Sequence, residues 1–448
     1  MKRNRMMAAG LAAALLSASP AFAQSSSSRD ADSIAYAVLP GDTLIDLATA
    51  YLNRPADYRL VQRHNRVADA RRIPVGRILS IPVRLLRADP DHARVAGFRG
   101  AVTLSHGAVA AAPVIGQTVS EGAVLSTGPN AFVRLALSDG SHVVVPSNSR
   151  VRLSRLRRYA LNGAVDHAMT VERGRVESSV TPRRRPGGFV VRTPVSVSAV
   201  RGTEFRVAFN DDTDRAATEV IEGVVNVMAG DGAAEAVAQA SEGVSASVDS
   251  LRLAPLLPAP ELVDPAQVHS GRDVRMPILP LAGARRYRGR LATDAGMIEA
   301  FQESDSAPGV NALVFPDLSD GAYFIRLTAL SDDDVEGRAA TYSFVRARNG
   351  VGGLSATSGS ADRYRLYRFR WVAEGEGAAS FRFQLSREGS DGAADGPPLI
   401  DQSGLTDPTF TLTDLPPGIY TWRVQGSRHR YGRLLQAWSE PQQLRIGR

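Results

Sequence analysis

From residue 107 onward, the sequence consists of short apolar runs, each ended within a few positions by Gly, Asp or Asn. Runs such as Phe189–Arg192 and Val220–Glu222 are too short for amphipathic helices and are typical of β-strands. The 40 Gly and 26 Pro residues supply the tight turns that this pattern requires. The sequence therefore predicts a mainly β, multidomain protein, and 448 residues is a length for about two to four domains.

An internal repeat supports this prediction near the C-terminus. Asp317–Arg326 and Asp414–Arg423 share the pattern D-L-x-x-G-x-Y-x-x-R. The Leu is expected to close the core, the Gly to permit a turn, and the Tyr hydroxyl to bond back to the loop. The two segments resemble the fibronectin type III family and its immunoglobulin-like relatives, which implies two β-sandwich domains. Trp371 and the alternating stretch Phe381–Leu385 are predicted to face the core of the second domain.

The first 23 residues have the pattern of a secretory signal peptide. Lys2, Arg3 and Arg5 precede an apolar stretch over Met6–Leu16, and Ala21–Ala23 has the small-x-small pattern that signal peptidases read. The apolar stretch is shorter than the roughly 20 residues that span a bilayer as a helix, although an uncleaved membrane anchor is the alternative. We expect cleavage near Ala23–Gln24, a location in the periplasm or exported cell envelope, and no transmembrane anchor.

Cysteine is absent from the sequence. No disulfide can therefore stabilise a domain, and each domain must have its own apolar core. The absence also excludes a lipid anchor on a cysteine and any enzyme with a cysteine nucleophile.

Composition and motif boundaries predict the domain organisation. The signal peptide covers residues 1–23, and a Ser-rich spacer follows it. Further along we predict a small module at 34–84, a β-rich region at 100–228, an Ala/Gly/Ser-rich linker at 229–257, and β-sandwich domains at 258–348 and 363–446, separated by a Gly/Ser tract.

The small module has the local signals of two strands and two helices. Their predicted order is strand (35–38), helix (43–52), helix (57–65) and strand (78–82). Thr43 is expected to cap the first helix, with Asp46 completing a weak capping box. Leu44, Leu47 and Ala48 lie on the apolar stripe of that helix.

Several motifs of this module closely resemble the LysM domain. They are Tyr36-x-Val38-x-x-Gly41-Asp42-Thr43-Leu44, Leu47-Ala48, Asn65 and Ile73-x-x-Gly76-x-x-Leu79-x-Ile81-Pro82. The resemblance implies a βααβ fold that binds peptidoglycan or another glycan containing N-acetylglucosamine. It places glycan-binding residues on two walls, formed by Gly41, Asp42, Thr43 and Leu44 and by Ile73, Pro74, Val75 and Gly76. For Asp42 and Thr43, helix capping is the competing explanation.

The β-rich region carries a second resemblance. Three motifs follow one another along this region. They are Leu137-Ser138-Asp139-Gly140-Ser141, Thr193-Pro194 and Val200-Arg201-Gly202-Thr203-Glu204-Phe205. In this order they resemble the FecR family, whose members relay a signal from an outer-membrane receptor to a sigma factor. The resemblance implies a solenoid-like or roll-like periplasmic β fold that supports protein contacts. The chain departs from the family by starting with a signal peptide pattern in place of a cytoplasmic anti-sigma segment.

The arginines are densest in this same region. They are Arg150, Arg152, Arg155, Arg157 and Arg158, together with Arg183–Arg185. Their i, i+2 spacing places Arg150 and Arg152 on one strand face. Contact with an anionic lipid, a wall polymer or a partner is one interpretation, and a solvated face is the other. Arg201 and Glu204 are further candidates for partner contact, unless they pair with each other at a strand bend.

The sequence lacks the features that are typical of several functional classes. The formal charge of +7 falls to 7 − 3 = +4 without Lys2, Arg3 and Arg5, which is small for nucleic-acid binding. The seven histidines are scattered without H-x-H or H-E-x-x-H spacing, so we expect them at surface or loop positions. No G-x-S-x-G motif is present. We therefore predict no catalytic residues, no metal and no cofactor.

Three hypotheses follow for the function. The leading one is a non-catalytic, peptidoglycan-binding scaffold or adaptor of the cell envelope with an unidentified protein partner. The second is a FecR-like sensor or regulator that acts through protein partners. The third is a glycan hydrolase with a cryptic pair of carboxylates.

Overall fold

The computed structural model describes residues 33–182, 188–200, 202–361, 363–388 and 396–447. The predicted signal peptide and Ser-rich spacer lie outside these residues. Among the described helices, none is long and apolar enough to cross a membrane. The chain divides into two compact units. The first ends at Arg87 and takes in Ala160–Asn162, and the second contains the rest.

The first unit contains two helices and a two-stranded antiparallel sheet. Its elements are β1 Ser33–Ala37, α1 Leu44–Tyr51, α2 Tyr58–His64 and β2 Ile78–Pro82, with 3-10 turns at Pro55–Asp57 and Val83–Leu85. The predicted order strand, helix, helix, strand is therefore confirmed. Leu44, Leu47 and Ala48 are buried on one face of α1, as their spacing indicated. The Thr43 hydroxyl accepts the Asp46 N–H at 3.1 Å, which confirms the predicted cap. The Asp46 carboxylate accepts from that same hydroxyl at 2.7 Å, and not from the Thr43 N–H as a capping box requires.

The second unit begins with eighteen strands over residues 88–255, which we call the two-sheet region. They are β3 Ala88–Pro90, β4 His92–Arg99, β5 Val102–His106, β6 Val109–Ala111, β7 Thr118–Ser120, β8 Val124–Thr127, β9 Phe132–Leu137, β10 His142–Val145, β11 Arg150–Tyr159, β12 Val165–Ser179, β13 Gly188–Arg192, β14 Ser196–Val200, β15 Glu204–Asn210, β16 Arg215–Glu222, β17 Val224–Ala229, β18 Glu235–Gln239, β19 Glu242–Ala246 and β20 Leu251–Pro255.

These strands form two sheets that share β12. The first sheet has the order β6-β5-β8-β11-β12-β13-β14-β17-β18, with β3 also pairing β11. The second has the order β7-β4-β9-β10-β12-β15-β16-β19-β20. Alternating apolar side chains from both sheets, such as Val151, Val191, Val207 and Val244, form one buried core.

The change of sheet along β12 occurs at Gly174. Residues up to Arg173 pair with β11 in the first sheet, and residues from Gly174 onward pair with β15 in the second. Gly174 has a φ of +75°, and a Cβ at this position would lie 2.5 Å from the Ser149 Oγ. Only glycine fits this backbone conformation and this close approach.

The predicted linker at 229–257 is wrong, because it contains β18, β19 and β20. Its Ala, Gly and Ser content resembles that of a spacer, yet alternate side chains enter the core. Ala238, Val244 and Ala246 are buried. Small residues suit this position because Gly243 packs against Leu256 and Val335, with no room for a Cβ.

Two further β domains follow within the second unit. The first C-terminal domain comprises β21 Val268–His269, β22 Val274–Pro277, β23 Arg286–Ala292, β24 Ala300–Asp305, β25 Ala312–Phe315, β26 Gly321–Leu330 and β27 Ala340–Arg346. The second comprises β28 Gly350–Ala361, β29 Tyr364–Glu374, β30 Ser380–Arg387, β31 Ile400–Leu405, β32 Thr409–Thr413, β33 Gly418–Arg430, β34 Arg433–Trp438 and β35 Gln442–Ile446. The Gly/Ser tract predicted to separate them instead forms β28, which pairs with β29.

Each C-terminal domain has two sheets around its own core. In the first, β21-β27-β26-β23-β24 faces the pair β22-β25. In the second, β28-β29-β32 faces β31-β30-β33-β34, with β35 also on β33. Trp371, Phe381, Phe383 and Leu385 are buried in the second core, as predicted.

The repeated motif has the same geometry in both domains. The Tyr323 hydroxyl donates to the Ser319 carbonyl at 3.1 Å, and the Tyr420 hydroxyl donates to the Pro416 carbonyl at 2.8 Å. Leu318 and Leu415 are buried at the edges of the two cores. The hydroxyl-to-loop bond expected from the sequence is therefore confirmed in both copies.

Candidate functional site

The first unit has a shallow depression of about 440 Å³ between its first turn and the loop before β2. It is lined by Gly41, Asp42, Thr43, Ile73 and Pro74, together with Arg71 and Arg72. The structure thus brings together five of the eight residues predicted to bind glycan, from two segments about thirty positions apart. Among the lining residues, the two arginines were not predicted as site residues.

The other three predicted residues lie elsewhere. Leu44 is buried in the core, and its N–H donates to the Ala70 carbonyl at 2.8 Å. Val75 is exposed but does not line the depression. Gly76 has a φ of +82° and donates its N–H to the Val38 carbonyl, so its role is to form the turn before β2.

Asp42 holds the first turn in place. One carboxylate oxygen accepts hydrogen bonds from the Tyr36 hydroxyl at 2.8 Å and from the Leu39 N–H at 2.7 Å. Burial, together with the Asp42 carboxylate, raises the pKa of Tyr36 to about 12. Capping explains Thr43, and turn stabilisation explains Asp42. What the depression offers a ligand is therefore mainly backbone groups, the apolar surface of Pro74 and two exposed guanidinium groups.

The predicted basic patch in the two-sheet region is neutralised by acidic neighbours. Arg150 and Arg152 both contact Glu172 at 2.7 Å, which confirms that they share a strand face. Arg155 pairs with Asp166 at 3.1 Å and Arg157 with Glu121 at 2.7 Å. Arg158 lies 3.5 Å from Asp91. Arg201 and Arg183–Arg185 lie outside the described residues, and Glu204 is an exposed residue at the start of β15.

One histidine lies inside a polar cluster of this region. His167 is fully buried, and its Nε2 is 3.0 Å from Asp91 Oδ2, which also accepts a 2.5 Å hydrogen bond from the Ser138 hydroxyl. The expectation of surface or loop positions is therefore wrong for His167, and also for His269, which is buried in β21. The Ser138 hydroxyl is directed at the carboxylate and not at the imidazole, so this is not the arrangement of a catalytic triad.

Burial raises the pKa of Asp91, but hydrogen bonds from Ser138 and His167 outweigh it, and the pKa lies below its ordinary value. Asp91 is therefore a structural anion that joins β3, β9 and β12. Among the described residues, no group of three or more His, Cys, Asp or Glu side chains has the geometry to hold a metal ion.

A larger polar cluster, which the sequence did not indicate, joins the two-sheet region to the first C-terminal domain. We call it the joint cluster. It contains the arginines Arg175, Arg206, Arg288 and Arg290 and the glutamates Glu177, Glu219, Glu303 and Glu336.

Three ion pairs of the joint cluster cross between the two domains. Arg290 contacts Glu177 at 2.5 Å, Arg206 contacts the Glu336 carboxylate at 3.1 Å, and Arg175 pairs with Glu303. Arg206 also donates to the backbone carbonyls of Glu336 and Gly337 at 2.7 and 2.8 Å. These contacts fix the relative position of the two domains, because each of these three buried pairs has one member in each domain.

Two carboxylates of the joint cluster, Glu177 and Glu219, have pKa values that are shifted in opposite directions. Burial raises the pKa of Glu177, but the charge of Arg290 outweighs it and the net pKa is about 2. Burial raises the pKa of Glu219 to about 7, because Arg206 offsets only part of the effect and the charge of Glu336 adds to it. Geometry agrees, since the Glu219 carboxylate lies 3.7 Å from the Arg206 Nε, a longer distance than in the other pairs.

Comparison with known proteins gives one family match. The family model described as FecR protein matches residues 123–226, which lie within the two-sheet region. No curated protein matches the chain.

Two solved structures illustrate the more distant similarities. A candidate anti-sigma factor from Parabacteroides distasonis ATCC 8503 has 17% sequence identity and a TM-score of 0.25, and the match covers 30% of this chain and 59% of that protein. The FN1–FN3 domains of chicken CNTN1 have 11% identity and a TM-score of 0.20, covering 57% of this chain and 95% of that one. TM-scores this low carry no argument about function.

Proposed function

We propose that this protein is a non-catalytic regulator or sensor of the bacterial cell envelope, and that its two-sheet region contacts other proteins. The observation that carries the proposal is the FecR match over residues 123–226. Members of that family act by relaying signals between proteins. On this proposal the protein is exported, and the signal peptide pattern of residues 1–23 directs the export.

The edges of the two sheets support a role in protein contact. Strands β6, β18 and β20 each end a sheet, and they expose Val109, Val237 and Leu253 at 71%, 52% and 47%. An edge strand has unpaired N–H and C=O groups, and exposed apolar side chains beside it favour the addition of a partner strand.

Site-directed photo-crosslinking in cells tests this proposal. Amine-reactive crosslinkers are unsuitable because Lys2 is the only lysine. A photoreactive residue at position 237 of the full chain is expected to capture a defined envelope protein of a receptor or sigma-factor system. The same residue at position 368, on β29 of the second C-terminal domain, is the matched control. Equal capture at both positions, or capture of abundant proteins alone, would contradict the proposal.

A second function is favoured by the depression of the first unit. We infer that this unit docks on peptidoglycan, because the depression joins the two predicted walls and presents backbone groups that suit N-acetyl sugars. Such shallow sites bind weakly one at a time, so a dense glycan layer is the ligand that would retain the protein.

Retention of the full chain on purified peptidoglycan tests the docking function. Pro74→Arg fills the depression and is expected to reduce retention by about tenfold, on the order of 1.4 kcal/mol. Val75→Arg adds the same charge at an exposed neighbour outside the lining and serves as the control. If the wild-type chain is not retained, the docking function is wrong. A cleared zone in zymography on sacculi would instead indicate hydrolase activity.

A further inference from the structure

The second unit contains a cavity of about 1070 Å³ beside the joint cluster. One side is formed by β4, β9, β10, β12, β15 and β16 of the two-sheet region, and the other by β23, β26 and neighbouring loops of the first C-terminal domain. This volume is at the upper end of the roughly 300–1,000 Å³ that is usual for ligand sites. The joint cluster keeps the two sides at a fixed separation, so the cavity is preformed.

Besides members of the joint cluster, charged side chains without an opposite charge in contact line this cavity. The guanidinium of Arg326 on β26 has no hydrogen bond or ion pair to any of the residues described. Glu204 and Glu222 lie directly opposite each other on β15 and β16, and neither has an ion pair within the described parts of the chain. Like charges placed directly opposite on neighbouring strands destabilise a sheet.

The cation and the carboxylates are near enough to influence each other. Burial lowers the pKa of Arg326, and the charges of Glu177 and Glu204 oppose this effect. They are nevertheless not within ion-pair distance. The space between them is part of the cavity, so a ligand group can enter between the two signs of charge.

Part of the remaining wall is apolar. Phe98, Ile115 and Ile298 line the cavity and are exposed at 36%, 66% and 63%. A ligand that satisfies these side chains therefore needs an apolar body, an acidic group and a basic group. A short peptide segment combines all three.

We propose that this cavity binds a peptide segment of a partner protein that carries one acidic and one basic side chain among apolar residues. The acidic side chain pairs with Arg326, and the basic one pairs with Glu204 and Glu222. This inference rests on the proposed function, since it supplies a binding site for the partner.

Affinity selection from a pool of end-blocked random hexapeptides tests the site on the full chain. We expect the retained peptides to be enriched in sequences that contain both an acidic and a basic residue. Arg326→Gln is expected to lose the enrichment in acidic residues by about tenfold, and Glu222→Gln the enrichment in basic ones, because each removes one charge-assisted hydrogen bond. Arg368→Gln, an exposed arginine on β29, is the matched control and should behave as wild type.

Three results would overturn the proposal. One is the absence of charged-residue enrichment, relative to the starting pool, in the peptides retained by the wild-type chain. Another is unchanged selection by both Arg326→Gln and Glu222→Gln when their hydrogen exchange shows a native fold. The third is complete competition by free amino acids, which would assign the cavity to small zwitterions. If photo-crosslinking from position 237 still captures a partner in Arg326→Gln, protein contact stands and only the cavity assignment fails.

Discussion

The arginines of β11 and those of the joint cluster have the same kinds of partner in different surroundings. Arg150 and Arg152 keep 49% and 43% of their side chains exposed while they pair with Glu172. Arg290 and Arg206 keep only 7% and 10% while they pair with Glu177 and Glu336. Water stabilises an exposed charge whether or not it is paired, whereas a buried charge depends on its partner.

The two groups of ion pairs therefore have different roles, one at the surface and one in holding two domains together. The β11 pairs lie within one region and neutralise what would otherwise be a strongly basic strand. The joint pairs connect two domains and hold open a cavity between them. Four predictions test this comparison, beginning with the largest expected effect.

Removing one carboxylate from the joint cluster should cost the most stability. Glu336 accepts hydrogen bonds from Arg206, Arg288 and Thr328, so Glu336→Gln removes the nearest carboxylate of Arg206 and one of the two carboxylates that pair with Arg288. We expect a loss of about 3–5 kcal/mol, measured by urea unfolding. Hydrogen exchange should localise the loosening to β23 and β26. A loss below about 1 kcal/mol would mean that the joint is as solvated as the surface of β11.

The pH dependence of the joint should come from Glu219. Its pKa is about 7 in the folded protein against an ordinary 4.5, so the folded state holds a proton that the unfolded state releases. Stability therefore falls as pH rises from about 4.5 to 7. Glu219→Gln should match wild type near pH 5 and exceed its Tm at pH 8 by on the order of 5 °C. Glu440→Gln, which changes an exposed carboxylate of the second C-terminal domain, is the control, and an equal gain there would contradict the assignment.

The two tyrosines of the repeated motif extend the comparison to an uncharged group. Tyr420 is fully buried, while Tyr323 is partly exposed and its hydroxyl bond is longer. Tyr420→Phe should cost about 1 kcal/mol, because it leaves the Pro416 carbonyl without its donor. Tyr323→Phe should cost less. All three tryptophans lie in the second C-terminal domain, so their fluorescence reports Tyr420→Phe directly, and hydrogen exchange of β26 reports the other.

The smallest effect is expected on the face of β11. Arg152→Gln leaves Arg150 paired with Glu172, so we expect a loss below about 0.5 kcal/mol that becomes smaller at high salt. The same urea unfolding series measures it. A loss comparable to that of Glu336→Gln would show that β11 is part of a contact that buries it in solution.

Local signals were sufficient for much of this fold. The cap formed by Thr43 and Asp46 and the hydroxyl bonds of Tyr323 and Tyr420 each involve residues within four positions, so a motif specifies the geometry. The alternating pattern likewise identified the buried side of Phe381–Leu385. The depression of the first unit was predicted in part for the same reason, because each of its two walls is a turn that a short motif specifies.

Contacts between residues far apart in the sequence could not be predicted from such local motifs. Arg206 and Glu336 are 130 positions apart, and Arg290 and Glu177 are 113 apart. An Arg or Glu in a strand looks the same in sequence whether it faces water or another domain. The error at 229–257 has a related cause, because Ala238 and Ala246 are core residues that their composition does not distinguish from a spacer. One signal was available in retrospect, since the charged residues Glu177 and Arg206 lie next to the core residues Val176 and Phe205 within their strands.

The shared strand β12 also has a consequence for the order of folding. Its first half pairs with β11 and β13, and its second half pairs with β10 and β15, so it takes partners from both sides of the chain. Neither sheet can complete its hydrogen bonding before β12 is in place. We therefore expect the two sheets to form in a single cooperative and slow kinetic step, because the contacts around Gly174 must close long loops before they gain stability. A nascent chain that has not yet reached Ser179 contains neither sheet in finished form.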